Sequence, residues 1–156
     1  MIFGIGVDVL EAARIQKVYD KYGDHFIERL LMPAERAQLA STRRTTRFLA
    51  MRFAAKEAIV KAMGTGFAHG IWIRDVGVVQ NAWGKPEVAY SPRGEKVRRK
   101  LGIGGGHVTL TDEAGLIVAV AVLERAAPAI KKRVSKKKAK KHRARARPVP
   151  RARRRR

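Results

Sequence analysis

The chain has 156 residues, 35 Lys and Arg against 13 Asp and Glu, a formal net charge of +22 and no cysteine. That length fits one domain with a modest core, and the absence of thiols excludes disulfides, thiolate metal sites and a cysteine nucleophile. No apolar run approaches the roughly 20 residues of a membrane helix, and Met1–Leu10 lacks the basic head of a signal peptide, so the expected location is cytoplasmic.

The charge is unevenly spread. Residues 126–156 hold 16 of the basic residues and no acid, which leaves 19 basic and 13 acidic on residues 1–125. The first 125 residues therefore read as a moderately basic folded domain suited to anionic partners. Residues 126–156 repeat Lys, Arg and Ala around Pro128, Pro148 and Pro150 and are expected to form a disordered basic tail. Such a tail either is a solvated, dispensable extension, the favoured reading, or contacts nucleic acid or a membrane surface through counterion release.

Met1–Val9 alternates like a strand. Ile2, Gly4, Gly6 and Asp8 point one way; Phe3, Ile5, Val7 and Val9 point the other. Asp8 thus stands on a face cleared by two glycines, where a ligand or another backbone can approach, unless it only caps the helix that follows. Glu11–Tyr22 reads as a helix ended by Gly23, with Arg14, Lys17 and Lys21 as a basic stripe. A second helical piece runs from about Asp24 to Leu31. Pro33 opens another, to about Ala40, and Ser41–Thr46 is a polar linker carrying Arg43 and Arg44.

The stretch from Arg47 to Met63 is the longest expected helix, with a Thr pair at its head and Gly64 just past its end. Glu57 and Lys61 lie four apart on one face, over a floor of Ala50 and Ala54. Arg52 and Lys56 fall among Phe48, Leu49, Phe53, Ile59, Val60 and Met63. A cation on such a stripe either snorkels outward or has a fixed anionic partner.

Beyond Gly64-Thr65-Gly66, Ile71–Val79 reads as extended. Asn81–Pro86 is a turn cluster and Glu87–Tyr90 the returning strand of a hairpin. Ser91-Pro92 opens a basic helix to about Leu101. Gly102–Gly106 reads as a flexible loop, His107–Thr111 as an alternating strand, and Leu116–Leu123 as a strand buried on both faces.

Asp8 and Glu57 could supply two oxygens to a hard divalent cation, which fills its other positions with water and substrate phosphate. Lys61 is a point charge suited to a phosphate oxygen, and Arg43, Arg44, Arg52 and His107 offer further anion contacts. Carboxylates, a lysine and several arginines describe phosphoryl transfer rather than a nucleophile-and-base hydrolase.

Two motifs carry a resemblance. Gly4-Ile5-Gly6-Val7-Asp8-Val9 with Glu11 and Arg14, and Arg52-Phe53-Ala54-Ala55-Lys56-Glu57-Ala58 with Lys61 and Gly64-Thr65-Gly66, resemble those of the holo-[acyl-carrier-protein] synthases, the short bacterial type of 4'-phosphopantetheinyl transferase. Gly84-Lys85-Pro86 and His107-Val108-Thr109-Leu110-Thr111 add to it, over residues 1 to about 125. The resemblance implies an α+β fold with an antiparallel sheet and a long central helix. It also implies transfer of 4'-phosphopantetheine from coenzyme A to a serine of an acidic apo-acyl carrier protein, in fatty acid biosynthesis, with Mg2+. By the same resemblance Asp8 and Glu57 match the metal ligands, and with Lys61, which contacts the diphosphate, form the catalytic set. Arg43 or Arg44, with His107, matches the positions that bind the 3'-phosphate, and Gly84, Lys85 and Pro86 lie where adenine is held. Arg52, Gly64, Gly66 and Thr109 are assigned to coenzyme A with the motifs that contain them. Arg14, with its neighbours Lys17 and Lys21, matches the carrier-docking position. Short members form homotrimers with each site between two subunits. The base is either Glu57 or a water held at the carboxylates, and manganese could replace magnesium. The chain departs from the family at Met51, where glycine is frequent, and at Asp112, where many members have histidine.

Overall fold

The computed structural model describes residues 1–127, so the expected disorder of the tail lies, from residue 128 on, outside the described residues. Five strands and four helices follow in order: β1 (Ile2–Glu11), α1 (Ala12–Leu30), α2 (Pro33–Leu39), α3 (Thr45–Met63), β2 (Val76–Gln80), β3 (Pro86–Tyr90), α4 (Pro92–Lys100), β4 (Ile103–Glu113) and β5 (Leu116–Arg125). The α+β expectation holds. An antiparallel sheet of order β1-β5-β4 carries α3 across one face, and β2–β3 forms a separate hairpin.

Small residues set how closely α3 lies on the sheet. A Cβ added to Gly6 would stand 2.0 Å from the Ala58 carbonyl oxygen, and one added to Gly4 2.2 Å from that of Ala62. In register with these glycines are Ala121 and Leu123 of β5, both buried. The inner face therefore holds Gly4, Gly6, Asp8 and Leu10 on β1, Ile117, Ala119, Ala121 and Leu123 on β5, and Val108, Leu110 and Asp112 on β4. Fully buried Leu49, Ile59 and Val60 of α3 complete the core.

Three expectations change. Leu116–Leu123 is covered on one face of this chain only: Val118, Val120 and Val122 turn to the other face and are half-buried between neighbouring strands. Gly102–Gly106 is not a loop, because β4 begins at Ile103 with a register irregularity before Gly106. Its glycines answer to close approach, since a Cβ on Gly106 would meet Leu123 Cδ2 at 2.6 Å and one on Gly104 the Ala126 Cα at 2.9 Å. Finally, residues 71–75 are not strand. Asp75 N–H instead donates to the Trp72 carbonyl, and Asp75 accepts from Trp72 N–H, Ser91 Oγ and Arg93 Nε, pinning the segment to the start of α4. The two-piece reading of residues 11–31 holds: α1 is two helical pieces that meet at Gly23, whose non-helical φ of 50° lies in the region that favours glycine.

Candidate active site

Asp8 sits inside β1, paired with Ala119, three residues before the strand ends. The capping alternative is thus excluded: α1 begins at Ala12 with no side-chain cap. The glycine face turns its carboxylate toward α3, where Lys61 Nζ donates to Asp8 Oδ1 at 2.7 Å and to the Val7 carbonyl at 3.1 Å. Glu57, one turn earlier on α3, is half-buried. Burial and then the negative charge of Asp8 push its carboxyl above the ordinary range, against the pull of Lys61. Glu57 thus lies within electrostatic reach of Asp8 and Lys61, which are hydrogen-bonded to each other. Gly64, at φ 72° in the left-handed region, ends α3 three residues past Lys61, and Thr65 and Gly66 N–H groups return to the Val60 carbonyl.

Two hard oxygen donors that repel one another, beside open solvent, fit a divalent cation. Among the described residues no group of three or more His, Cys, Asp or Glu converges, so a cation here would have two protein carboxylates and rely on water and phosphate for the rest. That partial shell suits magnesium.

At the other end of α3 lies a polar cavity of about 360 Å³ walled by Arg44, Arg47, Arg52, Gln38, Gln80 and Asn81 among others. Arg52 is 4% exposed, and its guanidinium stacks 4.2 Å from the centre of the Phe48 ring. Its Nη2 donates to Gln38 Oε1 at 3.3 Å, while its buried Nε makes no hydrogen bond. The turn bearing Gly84, Lys85 and Pro86 begins at the cavity rim, where Asn81 Oδ1 accepts from the Trp83 and Lys85 N–H groups. Arg43, just before α3, is exposed.

The remaining assigned residues are not gathered. His107 and Thr109 stand on the outer face of β4, in register with Val122 and Val120, away from the face that carries Asp8. Within the chain His107 has Glu124 as its acidic neighbour, at 3.6 Å. Arg14, Lys17 and Lys21 are exposed along α1. A larger cavity, about 510 Å³, lies between the second half of α1 and residues 72–74, but no carboxylate lines it.

Sequence reading missed two groups. Glu35 is the fixed partner of the buried cations: its Oε2 lies 2.7 Å from Lys56 Nζ and its Oε1 3.9 Å from Arg52 Nε. Arg47 was passed over as the first residue of the helical stretch. It donates from Nε and Nη2 to both oxygens of Asp112 at 2.6 and 2.5 Å, which fills the position where histidine was expected.

A carboxylate pair beside a lysine, with an arginine-walled cavity farther along the same helix, is a set of groups suited to the phosphates of a substrate. Comparison with known proteins gives the class a family. Residues 4–121 match the model of the 4'-phosphopantetheinyl transferase superfamily, and the chain belongs to that family. It is 41% identical over 127 residues, 81% of this chain and 97% of the relative, to the holo-[acyl-carrier-protein] synthase of Thiobacillus denitrificans. The crystal structure of that enzyme from Neisseria meningitidis superposes with a TM-score of 0.76 at 37% identity, covering 80% of this chain and all of the other. A Bacillus anthracis holo-(acyl-carrier-protein) synthase, solved in complex with CoA (3',5'-ADP), gives a TM-score of 0.66 at 36% identity over 81% of this chain and 99% of that one.

Proposed function

We propose that this chain transfers the 4'-phosphopantetheine group of coenzyme A to a serine of apo-acyl carrier protein, releasing adenosine 3',5'-bisphosphate, in support of fatty acid biosynthesis in the cytoplasm. The observation that carries the reading is the convergence of Asp8, Glu57 and Lys61 at the end of α3 in a member of this family.

Magnesium, held by Asp8 and Glu57, would supply neutralisation of the diphosphate and of the charge that grows on the leaving bisphosphate. Lys61 has an exposed ammonium that can release Asp8 and turn to a phosphate oxygen. The serine hydroxyl attacks the β-phosphate in line, and its proton goes to Glu57 or to a water held at the carboxylates. No nucleophile from this chain is needed. On α1, Arg14, Lys17 and Lys21 offer an exposed basic stripe for the acidic carrier protein.

The working form in this reading is a homotrimer with sites shared between copies. Two observations support it. The outer face of the main sheet is an apolar strip, with Ile5 59%, Val7 48% and Val9 57% exposed beside Val118, Val120 and Val122, the kind of patch that marks an association surface. In addition, Arg47 and Glu57 are ten residues apart on one helix, about 15 Å along its axis. That separation supports a site in which the carboxylates of one copy face the arginine cavity of another. His107 and Thr109, on the associating face, would then reach the neighbouring site.

The test is a mass spectrum of apo-acyl carrier protein incubated with this protein, coenzyme A and magnesium. A mass gain of one phosphopantetheine on serine, absent with Glu57→Ala and with EDTA, is expected. No gain at any metal concentration overturns the reading. Sedimentation of the protein, and of a Val7→Lys variant that charges the apolar strip, tests the trimer.

A further inference from the structure

The hairpin of β2 and β3 is a sheet of two strands, so among the described residues β2 has an edge without a neighbouring strand. Side chains of α2 and α3 cover that edge instead. Lys56 Nζ donates to the Val76 carbonyl at 2.6 Å, and Val78 N–H donates to Glu35 Oε1 at 2.9 Å. Gln38 takes both groups of Gln80: its Oε1 accepts from Gln80 N–H at 3.0 Å, and its Nε2 donates to the Gln80 carbonyl at 2.8 Å. Residues 76, 78 and 80 present these groups in a row because alternate residues of a strand turn their N–H and C=O to the same edge. Glu35 and Gln38 reach the row together because they lie three apart on one face of α2.

The rungs of this ladder are unequal. Lys56 and Glu35 are wholly buried, whereas Gln38 is half-buried and grips the last residue of β2. Opposite Gln80 stands Pro86, which has no N–H to give. Beyond Gln80 the chain closes on itself. Asn81 Oδ1 accepts from Trp83 and Lys85 N–H, the Asn81 carbonyl accepts from Gly84 N–H at 2.9 Å, and Asn81 N–H donates to the Lys85 carbonyl at 3.0 Å. A turn braced in this way moves as one piece, so its place relative to α3 is set by where Gln80 is held. Gln38 is itself fixed at the end of α2, where Ser41 Oγ donates to its carbonyl at 2.8 Å.

We propose that Gln38 is a positioning residue for base selection: by gripping Gln80 it aims the turn of residues 81–86 at the base of the nucleotide. The assignment rests on the coenzyme A reading above, in which Gly84, Lys85 and Pro86 hold adenine. Adenine carries an amino donor where guanine carries a carbonyl acceptor. A turn can tell the two apart only while its own donors and acceptors stay in place. The buried rungs cannot be given this task separately, because losing either disturbs the core. Losing Gln38 frees only the mouth of the hairpin.

The full-length protein can be tested with Gln38→Met, which keeps the length of the side chain and removes its hydrogen bonds. Amide exchange should speed up at Gln80 and not at Gly84. The KM for coenzyme A should rise about fivefold or more, with little change in kcat or in the KM for the carrier protein. By calorimetry, wild type should bind adenosine 3',5'-bisphosphate more tightly than guanosine 3',5'-bisphosphate, and Gln38→Met should shrink that preference by a similar factor. Equal losses for both bisphosphates would overturn the proposal and assign the effect to the contact between Gln38 and Arg52. A fall in kcat, in the unfolding midpoint and in affinity for the carrier together would leave Gln38 a plain structural residue. Transfer by a wild type that ignores the base, or a preference that survives Gln38→Met, would sink this inference alone. If no transfer occurs while the adenine preference exists and Gln38→Met erases it, the inference stands and the transferase reading falls.

Discussion

Lys56 and Lys61 stand five residues apart on α3, and each holds its ammonium 2.7 Å from a carboxylate oxygen. The side chains of Lys56 and Glu35 are wholly buried, whereas Lys61 is 49% exposed and Asp8 13%. Glu35 is saturated: it accepts from the Met32 and Val78 N–H groups and from Lys56, and Lys56 also donates to the Val76 carbonyl. Burial pushes the Lys56 pKa down against the pull of Glu35, the mark of an ammonium that only its partners keep inside. Asp8 has room for another ligand. The same chemical pair thus serves as a rivet on one side of the helix and as an opening on the other. What differs is water, and with it the consequence of losing a partner.

The rivet should give the largest effect on folding. Glu35→Ala strands a buried ammonium, a buried guanidinium and two N–H groups, and is expected to cost about 3–5 kcal/mol in urea unfolding. A shift below about 1 kcal/mol would show that Lys56 finds water or neutralises at little cost. Glu57→Ala should do the reverse. Phosphopantetheine transfer should fall on the order of 10²–10³-fold, yet the protein should unfold no more easily, because Glu57 is held against burial and the charge of Asp8. Chelation of divalent cations should reproduce that loss in wild type.

An intermediate effect should come from the surface that carries both pairs. The Cβ of Gly6→Ala cannot occupy a point 2.0 Å from the Ala58 carbonyl, so α3 must lift from β1. Overpacking of this kind costs about 1–3 kcal/mol. Because the shift falls between Asp8 and Lys61, turnover should drop further than stability explains, as a comparison of kcat at temperatures well below unfolding can reveal.

How much of this was legible depended on whether the signal was local. Glu57 and Lys61 share a helix face by spacing alone, and Asp8 shares a strand face with two glycines, so periodicity placed all three. Glu35 lies 21 residues from Lys56 on another helix, and no period links them. The cue was indirect: two cations on an apolar stripe demand an acid, and Glu35 stands two residues after the Pro that opens α2. His107 and Thr109 were correctly set on one side of a strand, but which side meets α3 is decided by sheet packing, and it is the other. Glycine misled at 102–106 because it serves a loop and a close approach equally well. The open valine face could not be distinguished from a covered one, since an apolar run records that a surface avoids water and not which chain covers it.

The smallest effect on folding, and the sharpest contrast with Glu35, belongs to Lys61. An exposed ion pair contributes about 0.2–1 kcal/mol, so Lys61→Ala should leave the unfolding midpoint nearly unchanged, and added salt should erase what difference remains. Turnover should nevertheless fall, because the ammonium is the cation nearest the carboxylates that would hold the metal and the diphosphate. Lys61→Arg separates charge from shape. It keeps the charge but replaces a compact donor with a planar fork, beside Gly6, where even an added Cβ would stand 3.0 Å from the Lys61 Cβ. Arginine restoring transfer in full would mean that charge alone suffices at this position. Partial rescue in KM with little in kcat would mean that the ammonium acts on the diphosphate as it reacts, which is what its place one turn beyond Glu57 predicts.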